Sequence, residues 1–269
     1  MINRIKTSLH DRRVGLTHED NLMCQHGFIA GPQDRAIVLP GHPDMAVLFD
    51  DFLTFDVTTD WLLTEGTDAA TISADTRGQG VGGVLRLTTG DTGTGLAADT
   101  AQVKHRKRLW RAAYGNLTFQ VRAKISQATD VYVYLGFTDV TADTLEAPIM
   151  SSGVGNGLTT NASNAVGFMV DTRMTADTIW CTGVRDDVDA TAFNTGVTPT
   201  TDLYRILRID LDTEGNATFY RDGHKVGYVA GAVEPNTALT PILTISKTTG
   251  ASSVNLDIDY VNVYMNREP

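Results

Sequence analysis

The chain has 269 residues, 42% of them hydrophobic and 7% aromatic, with a formal net charge of −10. That is enough apolar material for a substantial core, and all-β sandwiches of this length commonly form single units. The negative balance argues against direct binding of nucleic acid, whose phosphates the protein's own field would repel, and no apolar run approaches membrane-spanning length.

Residues 1–47 stand apart. They hold four of the six His and little periodic pattern, and they include the basic pair Arg12 and Arg13. The start, MINRIKTSLHDRRVG, lacks the apolar stretch of a signal peptide. The expectation is an N-terminal arm (1–47) leading into a β domain (48–269). Cys24 and Cys181 are the only cysteines. They imply no disulfide framework, and whether they pair stays open.

From Phe49 onward the pattern is repetitive β. NLTFQVRAKIS places Leu117, Phe119, Val121, Ala123 and Ile125 on one face and Thr118, Gln120, Arg122 and Lys124 on the other. Such alternation predicts an antiparallel strand wetted on one side. VYVYLGF, AVGFMV and TIWCTGV are apolar on both faces, as central strands of a packed sandwich would be. IDLDTEGNATFYRDGHKVG reads as strand, turn, strand and hairpin, with Leu207, Ile209, Leu211 and Phe219 as predicted core. Asp222-Gly223 supplies the two positive-φ positions of a type I′ turn. In NLDIDYVNVY the apolar phase changes near Tyr260, which predicts a bulge. No stretch has a helical period, so the fold class is all-β.

KHRKR, comprising Lys104, His105, Arg106, Lys107 and Arg108, is the sharpest charge feature in this acidic chain. It predicts a basic loop that docks on an acidic partner surface, with a solvated loop as the plain alternative. His18, Cys24 and His26, with His10 or His42, make a loose zinc half-site of no recognised spacing. Asp186, Asp187 and Asp189 could hold calcium or simply shape a turn. No metal and no cofactor is expected.

YRILRIDLDTEGNATFYRDGHKVGYV and LTPILTISKTTGASSVNLDIDYVNVY together resemble the closing half of concanavalin A-like jelly rolls, including laminin-G-like modules and laminarinase-type hydrolases. DDFLTFDVTTDWLLTEG, GVLRLTTG and NAVGFMVDTRMTADTIWCTGVRDD resemble such domains in tailed-bacteriophage virion proteins. The resemblance implies a jelly-roll β-sandwich of two antiparallel sheets. The laminarinase-type site needs Glu-x-Asp-x-Glu on one strand. The chain has six Glu, at 19, 65, 146, 214, 234 and 268, no two within five residues. Asp257-x-Asp259 is a carboxylate pair of the right alternation, and Tyr132 and Tyr134 with Arg122 or Lys124 supply the residue types of a polysaccharide lyase. With the Glu motif missing, the expectation is no enzyme. It is instead a phage virion structural protein, made in the host cytoplasm and sited on the capsid surface. There it decorates or cements the lattice by docking on the major capsid protein, itself as a homotrimer. The alternatives are a glycan-binding module of a head or tail fibre, for which Trp61, Trp110 and Trp180 are the tryptophan candidates, and a polysaccharide-cleaving enzyme.

Overall fold

The computed structural model describes residues 44–267, apart from 54, 56, 58, 76–82, 94 and 108. In chain order the strands are β1 (Met45–Asp50), β2 (Trp61–Glu65), β3 (Thr71–Asp75), β4 (Val84–Thr88), β5 (Thr100–His105), β6 (Leu117–Ile125), β7 (Val131–Thr138), β8 (Ile149–Ser151), β9 (Leu158–Thr160), β10 (Ala165–Asp171), β11 (Trp180–Arg185), β12 (Val188–Asn194), β13 (Arg205–Leu211), β14 (Ala217–Arg221), β15 (His224–Val229), β16 (Thr240–Lys247) and β17 (Asn255–Asn266). A four-residue helix, Leu96–Asp99, leads into β5.

One sheet runs β15-β14-β13-β6-β17-β4-β3, with β1 also on β17; the other runs β12-β11-β10-β7-β16-β5-β2; β8 and β9 form a separate hairpin. All strand pairs are antiparallel. The predicted jelly-roll sandwich of two antiparallel sheets is the observed architecture. β1 draws residues 45–50, part of which belonged to the predicted arm, into the eight-stranded sheet. Residues 1–43 of that arm lie outside the described residues.

The main core lies between the sheets. Phe119 and Phe219 of the eight-stranded sheet meet Phe137 and Phe168 of the other, edge to face, with ring centroids 5.5 and 5.1 Å apart. The predicted core residues Leu207, Ile209, Leu211 and Phe219 are all buried there. Asp222 and Gly223 have φ of 49° and 80°, as the type I′ turn requires. β17 shifts register between Ile258 and Tyr260. That extra residue lets Leu256 and Ile258, then Val261, Val263 and Met265, all reach the same core.

β7, β10 and β11 are apolar on both faces because the seven-stranded sheet is covered twice. Its inner face holds Val131, Val133, Leu135 and Phe137 against the main core. Its outer face carries Tyr132, Tyr134, Met169, Trp180 and Ile242 into a second core, closed by Ala147, Ile149 and Ala162. Those last three come from the segment 139–164, the β8–β9 excursion, which lies over the sheet. Gly167 leaves room for the Tyr134 ring, which a Cβ there would meet at 2.6 Å.

Phe219 is fully buried and bridges the two sheets. Phe219→Ala is expected to cost about 3–5 kcal/mol of stability, read as a lower urea midpoint at unchanged cooperativity. A midpoint within experimental error of the parent would contradict this account of the core.

Candidate functional site

The predicted basic loop is mostly not a loop. Lys104 and His105 are the last residues of β5 and are only 2% and 7% exposed. Strand phase explains the split: His105 follows Ala101 and Val103 toward Trp61, meeting its ring edge-on at 5.3 Å, while Lys104 follows Gln102 outward. Lys107 donates its backbone N–H to His105 Nδ1 at 3.3 Å, and burial lowers the pKa of the ring. The Arg106 side chain donates to the carbonyls of Trp61 and Val57 at 3.2 and 3.0 Å. Lys107 is exposed. Arg108, Arg12 and Arg13 lie outside the described residues, as does Cys24. A docking loop built on all five KHRKR residues is therefore corrected, because Lys104 and His105 face protein.

Lys104 is occupied beneath the covering segment. Its ammonium donates to the carbonyls of Ala142 and Thr144 and stands 3.6 Å from Glu146 Oε2. Glu146 Oε1 accepts from the Thr138 hydroxyl at 2.8 Å, and the Glu146 backbone N–H donates to Gln102 Oε1 at 2.7 Å. β5 and the end of β7 thus hold the carboxyl from two sides, through Lys104 and Thr138, while Gln102 holds its backbone. Desolvation pushes Glu146 up to about 7, against the Thr138 hydrogen bond and the Lys104 charge that favour the anion. Burial likewise lowers Lys104. A cavity of about 70 Å³ adjoins Lys104, lined also by Leu62, His105, Arg106, Thr141, Asp143 and Thr240. It is well below the ~300 Å³ of ordinary ligand pockets and suits a few waters.

The other candidate chemistries are not assembled. Tyr132 and Tyr134 face outward from the seven-stranded sheet, with the Tyr132 hydroxyl donating to the Ile149 carbonyl at 2.9 Å. Burial drives both phenols upward. Arg122 and Lys124 lie on the outer face of the opposite sheet, so the lyase set never meets. Asp257 is bound by Arg86 at 2.6 Å and Lys124 at 3.2 Å, and Asp259 by Arg122 at 2.6 Å. The bulge between them breaks the alternation that would make them an acid–base pair. Asp186 and Asp187 have φ of 52° and 60° in the turn between β11 and β12, and no metal-type side-chain cluster occurs among the described residues. Trp61, Trp110 and Trp180 are all buried, which removes them as an exposed glycan platform. The Cys181 thiol is buried and its pKa raised by that burial.

Sequence reasoning missed Glu146 as a site residue. Its only local signal was its rarity, since its partners lie 8 to 44 positions away.

No family model matches the chain, and no curated protein matches it. Solved structures do. A glycoside hydrolase family 16 endo-glucanase from Bacteroides ovatus has a TM-score of 0.57 at 14% identity, covering 80% of this chain and 99% of that one. An endo-1,3-beta-glucanase from Streptomyces sioyaensis gives 0.55 at 13%, covering 84% and 98%. The Bacillus licheniformis beta-glucanase gives 0.54 at 11%, covering 81% and 97%. The fold is a glucanase-type concanavalin A-like jelly roll. This likeness corrects the function expected from sequence. The non-enzymatic phage cement protein gives way, because the solved structures this fold resembles include several glucanases.

The Glu146 carboxyl gives stability a definite pH dependence. In the unfolded chain it titrates near 4.5 and in the folded chain near 7, so the fold prefers the proton. Its contribution is fully present below pH 4.5 and is lost as pH rises through about 7, at up to about 1.4 kcal/mol per unit. Urea midpoints taken from pH 4.5 to 7.5 should fall for the parent and fall less steeply for Glu146→Gln. Parallel slopes would sink this assignment.

Proposed function

We propose that this protein acts on a polysaccharide, cleaving it with Glu146 as general acid. The observation that carries the reading is the buried Glu146 carboxyl, raised to about 7 by desolvation and 3.6 Å from Lys104; Lys104 and a second carboxyl residue, Asp143, line a water-sized cavity. The fold it shares with glucan-cleaving enzymes supports the choice of substrate class. Glycoside hydrolysis needs one carboxylic acid to protonate the departing glycosidic oxygen and one carboxylate to activate the attacking water. Glu146 would give its proton to the leaving oxygen. Asp143 would take the proton of the water that attacks the anomeric carbon. A chain of sugars reaches this point only when the segment 139–164 lifts, because that segment covers the sheet face on which the two would act.

A second reading, binding of the polysaccharide without cleavage, is favoured by a specific observation. No described strand carries two Glu in phase, so the acid and the base are both borne by the covering segment rather than by the sheet.

Release of reducing ends from soluble β-glucans decides between them. Cleavage is expected to fall as pH rises through about 7, and to drop about 10²–10⁴-fold in Glu146→Gln. Binding in affinity gels with no reducing-end release would select the second reading. Neither binding nor release across a panel of neutral and acidic polysaccharides would reject both.

A further inference from the structure

The outer face of the eight-stranded sheet, opposite the Glu146 region, contains a larger and more polar hollow than the cavity beside Lys104. It lies where the ends of β6, β13, β14 and β17 converge, and its volume is about 470 Å³, within the range of small-ligand pockets. We propose that this hollow binds one neutral sugar unit of a polysaccharide, recognised through Asn116, Asp210, Asp212, Asn216, Tyr220 and Asn266. The proposal deepens the polysaccharide reading, on which it rests for the ligand class, but it concerns a separate place on the molecule.

The lining has the chemistry that a neutral sugar needs. Planar amides and carboxylates can each contact two neighbouring hydroxyls, donating or accepting as the amide and carboxylate inventories allow. Tyr220 adds an aromatic wall for the C–H face of a pyranose ring. No Lys or Arg is among the lining residues; Arg208 pairs with Asp210 at 3.4 Å, which leaves Asp212 as the carboxylate that would repel a uronate or sulfated sugar. Burial would raise Asp212, but donors from Asn216, Glu214 and Gly215 outweigh it and hold the carboxyl below its ordinary range. It therefore stays an anion at neutral pH.

The hollow is also prepared in advance. Asp212 Oδ2 accepts from Asn216 Nδ2 at 2.8 Å, Asn116 Nδ2 donates to Asn266 Oδ1 at 3.0 Å, and Thr118 donates to Asp210 Oδ1 at 3.0 Å. Gly115 and Asn116 both hold positive φ, 80° and 52°, which turns the chain into the rim. The Arg208 guanidinium lies 4.2 Å from the centre of the Tyr220 ring and fixes it. Groups held like this lose little freedom on binding. Further along the same outer face, Asn262 pairs in register with Gln120 of β6. It is 1% exposed, and its side-chain oxygen meets no protein donor, which leaves a buried acceptor for a water.

The test is calorimetric titration of the full chain with cellohexaose and laminarihexaose, with an alginate hexamer as the acidic comparator. At least one neutral oligosaccharide is expected to bind and the alginate not to. Tyr220→Ala should weaken neutral binding by about tenfold or more, and Tyr220→Phe should leave it within about threefold. Thermal melts of each variant exclude unfolding as the cause. Failure of both neutral probes to bind, stronger binding of alginate, or neutral binding indifferent to Tyr220→Ala would each overturn the proposal. Reducing-end release keeps the two proposals apart: neutral binding without release rejects cleavage alone, and release with binding insensitive to Tyr220 rejects this hollow alone.

Discussion

The burial of the seven-stranded sheet on both faces is the constraint from which most of this structure follows. A sheet covered twice must present apolar side chains in both phases, as β7 does with Val131, Val133 and Leu135 inward and Tyr132 and Tyr134 outward. Any polar group left on the outer face must then find its partners in whatever covers it. The segment 139–164 meets that demand at its first turn, where its carbonyls from Ala142 and Thr144 and its carboxyl from Glu146 receive Lys104. A buried pair of this kind is costly to desolvate and is weak evidence for added stability. Breaking it, however, strands a charge and costs about 3–5 kcal/mol. The pair is better understood as what fixes where the segment lies than as what holds the fold together.

The eight-stranded sheet resolves its outer face in the opposite way. It stays polar, and its charges are balanced in place: Arg86 and Lys124 meet on Asp257, Arg122 reaches Asp259, and Arg122 lies 4.4 Å from the Tyr204 ring centre. Partly exposed pairs like Arg122 with Asp259 contribute only about 0–1 kcal/mol each. Their effect is on the surface the sheet presents. The Arg-rich end near Tyr204 is neutralised by its own aspartates, while the end near Tyr220 gathers amides and carboxylates around a hollow. One sheet face therefore carries two electrostatic characters.

Much of this fold was legible because its signals are local. The alternation of β6, the Asp222-Gly223 turn, the core set from Leu207 to Phe219 and the phase change at Tyr260 each sit within a dozen residues, and the structure bears out all four. The sites were not legible, for a reason that is equally physical. The lining of the hollow comes from strand ends separated by up to 150 residues, as with Asn116 and Asn266, and Glu146 acquires its character only from β5 and β7. Charge runs misled in the same way. KHRKR reads as one basic feature, but strand alternation sends His105 to the core and Lys104 to the opposite face, because β5 extends further than its composition suggests. Tyr132 and Arg122 are ten positions apart in sequence and belong to different sheets.

The position of Glu146 on the covering segment, rather than on a sheet strand, ties its acidity to movement. Its pKa is raised chiefly by burial, so lifting the segment would restore solvation and return the carboxyl toward an ordinary, ionised state. A ligand entering that space would replace water with its own surface, and the desolvation would return. The carboxyl would then hold its proton more readily when the face is covered, by segment or by ligand, than when it is open to solvent. The Lys104 ammonium opposes this by favouring the anion, but only while Ala142 and Thr144 hold it in place. Opening thus removes both the burial that protonates Glu146 and the fixed cation that ionises it. Of the two, burial is the larger influence in the closed state, which is why closure and protonation go together.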